Sequence, residues 1–165
     1  MAVINKHTNN LYNILLELSR NIFFYKNIRL PDSFETRIYL MFIHFSILMI
    51  IAKKKGSKFD QKSYDGLFNN IEYNLRELGF GDVTVNKKMK EFNKILYDIL
   101  LKIDLKKDNK NDFKMNSDLV KNYFSSLNDT DDVKLAKFND YFLNFYNFCF
   151  EQRLDNMIEE AIKFK

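Results

Sequence analysis

Tryptophan is absent from this chain of 165 residues, and cysteine, proline, histidine and glycine are scarce at one, one, two and four. Each shortage excludes something. The lone Cys149 cannot close an intramolecular disulfide; set among aromatics in FLNFYNFCFEQ, it reads as a small buried hydrophobe in a reducing compartment. With only His7 and His44 there is no Cys and His set at metal-ligand spacing, and no nucleophile beside a histidine base. Four scattered glycines make no phosphate-cradling loop. The longest apolar stretch, Ile38 to Ala52, is fifteen residues interrupted by His44 and Ser46. At ~1.5 Å per residue it falls short of a bilayer core ~30 Å thick, and it reads as a central helix buried all round. The N-terminus, MAVINKHTNNLYN, has neither the apolar core of a secretory signal nor the Arg and Ser richness of a transit peptide, so a cytoplasmic protein or a processed chain is expected.

What is present is helical periodicity. Apolar residues recur three and four apart almost throughout, and no strand-like alternation persists, so the expected fold is all-α: a single compact domain over 1–165, of six to seven helices. Leu11, Ile14, Leu15, Leu18 and Ile22 form a first stripe that ends before Pro31. Asp32 or Ser33 is expected to cap the next helix, with Glu35 near the position that completes a capping box, and that helix stops at Lys53, Lys54, Lys55 and Gly56. Asp60 opens a third, with the stripe Tyr64, Leu67, Phe68, Ile71, Leu75 and Leu78, closed by Gly79. A fourth, from about Val85, carries Met89, Phe92, Leu96, Ile99 and Ile103, and it gives way to a charged polar loop near 104–116. Ser117 is expected to cap a short helix. Asn128 to Asp132 starts one bearing Phe138, Tyr141, Phe142, Phe145 and Phe148, and a last amphipathic helix holds Leu154, Met157, Ile158, Ala161 and Ile162.

The segment LRELGFGDVTVNKKMK, Leu75 to Lys90, carries the clearest local conflict. Gly79 and Gly81 reverse the chain, and Asp82 or Thr84 offers a capping oxygen. Lys87, Lys88 and Lys90 then crowd the start of the following helix, where the dipole favours acidic groups. Two readings follow: a site for an anionic guest (lipid phosphate, propionate or acidic peptide), or a solvated face of a chain rich in lysine. The net charge of +4 permits an anionic partner, while the abundance of Lys, Asn, Ile and Phe is also what AT-rich coding produces. His44 reads either as a client contact or as a hydrogen-bonded core histidine. Arg37 and Glu35 are expected to meet Arg76 or Glu77 near the glycine turn in an ion-pair cluster that braces two helix ends. FLNFYNFCF places aromatics on more than one helix face, giving either burial between helices or an apolar docking strip. Asp129, Asp131 and Asp132 read as helix capping, since a metal site of the all-helical kind needs carboxylates facing one another across a cavity. No enzyme and no cofactor are expected.

SRNIFFY (Ser19 to Tyr25), LPDSFETR (Leu30 to Arg37), LRELGFGDVTVNKKMK and LVKNYF (Leu119 to Phe124) together resemble, in order, the ubiquinol-cytochrome c chaperone family. Departures are Ile22 where relatives usually have proline, Thr36 where they often have glycine, and Tyr97, Asp98 and Ile99 in place of an aromatic-Gly-Arg run. The resemblance implies an all-helical assembly factor. Such a protein binds newly made cytochrome b on the way into respiratory complex III, with a small partner subunit, near the ribosome, at the cytoplasmic face of the inner membrane in bacteria or the matrix face in mitochondria. The residues themselves offer Arg37, His44, Arg76, Asp82, Lys87, Lys88 and Lys90 as candidates for client or anion binding, and the resemblance supplies the client. No DNA partner is expected. A basic adaptor for RNA, the ribosome or an anionic membrane is the alternative.

Overall fold

The computed structural model describes residues 6–59, 61–104, 113, 115–127 and 132–164. Among these every regular element is helical: α1 (Lys6–Ser19), α2 (Ile22–Lys26), α3 (Phe34–Lys54), α4 (Gln61–Glu77), α5 (Asp82–Asp104), α6 (Ser117–Tyr123), a 3₁₀ turn (Ser125–Leu127), α7 (Asp132–Phe150) and α8 (Met157–Ala161). The all-α expectation holds. Asp60, the loop segments 105–112 and 114, and the Asp-rich segment 128–131 lie outside the described residues.

α3 is the hub. It packs against α1, α5 and α7, while α4 joins α1 to α5 and α8 bridges α7 to α1. Its buried residues face every direction, from Ile38 through Phe42, Phe45 and Ile47 to Ile51, as expected of a helix wrapped by neighbours. The helix is 21 residues long, six more than the apolar stretch Ile38 to Ala52, and is enough by length and composition to cross a membrane, contrary to the expectation from sequence. Enclosure by the other helices, rather than length, makes it a core element. Its C-terminus closes in a Schellman motif: Gly56, at φ 81°, donates to Lys53 O (3.1 Å) and Ser57 to Ala52 O (2.8 Å). The lysines there do more than suit the dipole. Lys54 Nζ donates to Tyr146 Oη (3.0 Å), pinning the end of α3 to α7, and Lys55 Nζ, just past α3, donates to Gln152 O (2.5 Å), just past α7.

Several local expectations are corrected. The first stripe does not continue to Ile22, which is 59% exposed. The chain breaks at Asn21, whose Oδ1 accepts from Phe23 N (3.0 Å), while Tyr25 Oη donates to the carbonyl of Ser19 (2.7 Å). Ser33 does cap α3, but the third helical position is Thr36, not Glu35, so Ser33 Oγ takes the Thr36 N–H (3.2 Å) and no reciprocal glutamate box forms. Asn116 rather than Ser117 caps α6, accepting from Asp118 N at 2.8 Å. Asp98 accepts from Lys102 (3.0 Å) and from Tyr123, and so ties α6 to α5.

α7 spends its aromatics on the core. Phe138, Phe142, Phe145 and Tyr146 are buried, and Phe24 of α2 meets the rings of Phe138, Tyr141 and Phe142. Burial thus prevails over the docking strip. Cys149 is buried among them, and loss of hydration pushes its thiol up to about 12, so it serves as the hydrophobe expected. Among the described residues two buried side-chain oxygens lack a hydrogen-bond partner, Asn139 Oδ1 in α7 and Ser46 Oγ inside α3. Since an unpaired buried hydroxyl costs roughly 1–3 kcal/mol to desolvate, Ser46→Ala is expected to raise stability by up to about 1 kcal/mol. A thermal melt shifted upward by a few degrees checks this.

Candidate functional site

The corner between α4 and α5 is built by its two glycines. Gly79 has φ 96°, which lets its N–H reach Arg76 O (2.9 Å) and the Phe80 N–H reach Leu75 O (3.4 Å), closing α4. Gly81 then offers its carbonyl to Val85 N–H (2.9 Å), so α5 starts at Asp82 rather than near Val85. Only Leu75 and Val85 of this corner enter the core. Leu78, placed by its spacing in the apolar stripe of α4, caps that helix instead and is 60% exposed; Phe80 is 39% and Val83 84% exposed. Scattered apolar residues on a surface are ordinary, but three within six positions at the tip of one turn form a patch. The signal for it was the phenylalanine held between two glycines in a turn, where polar residues are the rule.

The earlier start of α5 changes the electrostatics. Asp82 occupies the first turn and complements the dipole, while Lys87, Lys88 and Lys90 fall in the second and third turns, where the dipole has faded. The expected conflict between lysines and helix pole is therefore removed. The lysines nonetheless have no ion-pair partner among the described residues. Val83, Lys87 and Lys90 are spaced four and three apart and share one stripe of α5. Lys88 lies half-buried with Nζ 5.2 Å from the centre of the Phe80 ring, so the turn's aromatic and one of its cations are already joined.

The other candidates are placed elsewhere or already engaged. Arg76 pairs across the turn with Asp82 and along α4 with Glu72 (3.4 Å). These two residues form a brace, and the Asp82 carboxylate raises the guanidinium's pKa further. Arg37 pairs with Asp32 (2.7 Å), not with Arg76's neighbours, so the expected cluster joining the two helix ends does not form.

His44 is wholly buried and is the core histidine rather than a surface contact. Its Nδ1–H donates to Leu40 O (2.6 Å), which leaves Nε2 to accept from Tyr141 Oη–H (2.8 Å). Through that bond a buried polar contact joins α3 to α7. Burial lowers the imidazole pKa to about 4, outweighing the Leu40 bond, and His44 is neutral near pH 7.

Residues 26–164 match the family model described as ubiquinol-cytochrome C chaperone. The match takes in the end of α2 and all of α3 to α8, including the corner; SRNIFFY, Ser19 to Tyr25, lies wholly before it. No curated protein and no solved structure matches the chain.

Proposed function

Because this chain belongs to the ubiquinol-cytochrome C chaperone family, we propose that it holds unassembled cytochrome b for ubiquinol-cytochrome c reductase, and meets that client with the α4–α5 corner. Membership implies a chaperone rather than a catalyst. The observation that carries the corner's role is the juxtaposition of exposed Leu78, Phe80 and Val83 with lysines that lack carboxylate partners. A membrane-protein client offers both complements: apolar helix surface for the tip, and acidic or phosphate groups at the membrane boundary for Lys87 and Lys90. The proposed station is the membrane face, where such a client is made. Release follows from differential binding: once the client's own subunits cover the apolar surface, the chaperone is the weaker partner.

A photo-crosslinking residue at Val83 is expected to capture cytochrome b in cells, while the same residue at exposed Lys62, at the far end of α4, captures none. The pair Lys87→Glu and Lys88→Glu is expected to lower that yield about tenfold, the ~1.4 kcal/mol that two reversed rim charges supply, with the thermal melt unchanged. Normal reductase assembly in the doubly substituted strain would refute the corner's role. Crosslinks to lipid alone would favour a membrane anchor.

A further inference from the structure

We propose that a cleft at the other end of α4 and α5 from the corner, between the end of α3, the loop 55–59 and the later half of α5, binds a single-chain anionic amphiphile such as a long-chain fatty acid. Its volume is about 610 Å³. Phe45, Met49 and Ile50 of α3 form one wall and Leu100 of α5 the other, and Phe59 from the loop stands edge-on to Phe45 at 5.3 Å. Tyr64 of α4 and Tyr97 of α5 also line the cleft, and Tyr64 Oη donates to Asn93 Oδ1 of α5 (2.6 Å). Apolar walls with a few polar groups at the rim are the make-up of a small-molecule site.

Charge and size choose the occupant. The charged side chains in the described lining are Lys53 and Lys58, both cationic, and Lys58 is exposed with no ion-pair partner among the described residues. By contrast, the cleft between α1, α7 and the C-terminal segment has about the same volume, 590 Å³, but mixes Arg20 and Lys137 with Glu17 and Asp140, and so selects no sign of charge. Two turns of helix about 10 Å across occupy roughly 850 Å³, more than this cleft holds, and a stable protein contact needs roughly 800 Å² on each side. A methylene group fills about as much space as a water molecule, ~30 Å³, so a chain of about sixteen carbons takes roughly 480 Å³ and fits, while two chains do not. Each buried methylene contributes about 0.8 kcal/mol. The carboxylate then lies at the rim, beside Lys58. A second cleft of about 240 Å³ shares Ser57, Lys58 and Phe59 with the first, leaving room beyond the Phe59 ring for a longer chain.

This inference is independent of the client reading, because it uses residues at the opposite end of α4 and α5 from the corner. Calorimetric titration of the full chain with palmitate, below its micelle concentration, is expected to show one saturable site. Lys58→Glu, on the surface, is expected to weaken it about fivefold by replacing attraction with repulsion. Leu100→Trp, which fills the cleft, is expected to abolish it, with Met49→Trp as a second filling variant should the first melt early. Hexadecanol should bind more weakly than palmitate, and Lys87→Glu with Lys88→Glu should leave palmitate binding unchanged. Absence of a saturable site, equal affinity for the alcohol, or full binding by folded filling variants would overturn the proposal. So would binding only to phosphatidylglycerol vesicles.

Discussion

Phe24→Ala is expected to cost about 3–5 kcal/mol, the range for removing a fully buried aromatic ring that its surroundings cannot collapse to fill. α2 is five residues long, too short to hold helix on its own. Phe24 is its one buried side chain, and this ring contacts Phe23, His44, Phe138, Tyr141 and Phe142. Its removal opens a void at the meeting point of α2, α3 and α7. Denaturant titration should show the midpoint falling with the slope retained, since the surface exposed on unfolding hardly changes. Phe24→Leu should recover more than half of the loss, because volume rather than ring chemistry dominates. A change below about 1 kcal/mol in the alanine variant would mean that α2 is not anchored as described.

Acid is expected to destabilise the protein through His44. In the unfolded chain the imidazole titrates near its ordinary value of about 6.5, whereas burial lowers it to about 4 in the fold. Between these values the unfolded state takes up a proton that the folded state refuses. Stability is therefore complete above about pH 6.5 and declines as the pH falls toward 4, by about 3 kcal/mol from this one group. The physical cost is plain: a protonated Nε2 loses its role as acceptor for Tyr141 and places a charge among Phe24, Phe142 and Phe145. Thermal melts across this window should fall steadily for the native chain. In His44→Gln the level should be lower at neutral pH and the slope smaller. A native profile without that slope would show that His44 is not held neutral by burial.

Much of the fold was legible because its causes are local. The helix stops at Gly56 and Gly79 follow from the left-handed backbone that a Schellman motif demands, and the stripe Phe92, Leu96, Ile99 and Ile103 goes inside as its spacing requires. The misses have equally definite causes. Ile22 and Leu78 obey the helical period but stand where the chain has just broken or is about to turn, so the period no longer says which way they face. The break at Asn21 is held by Tyr25 reaching back to Ser19, and nothing in the spacing of apolar residues announces such a bond. In the candidate site, Lys87, Lys88 and Lys90 were visible as a charge run, whereas the exposed tip beside them depended on where α5 begins.

The amino-acid order alone determined the helical class, the punctuation by glycine, the role of α3 as a buried centre and the cationic run after the turn. All of these rest on period, composition and residues near in sequence. Only the tertiary structure decided that Arg76 braces Asp82 instead of joining Arg37, that His44 is locked between Leu40 and Tyr141, and that Leu78, Phe80 and Val83 are left outside. Those outcomes depend on which groups distant in sequence come within hydrogen-bonding or packing distance. That is set by how whole helices dock, not by any one of them.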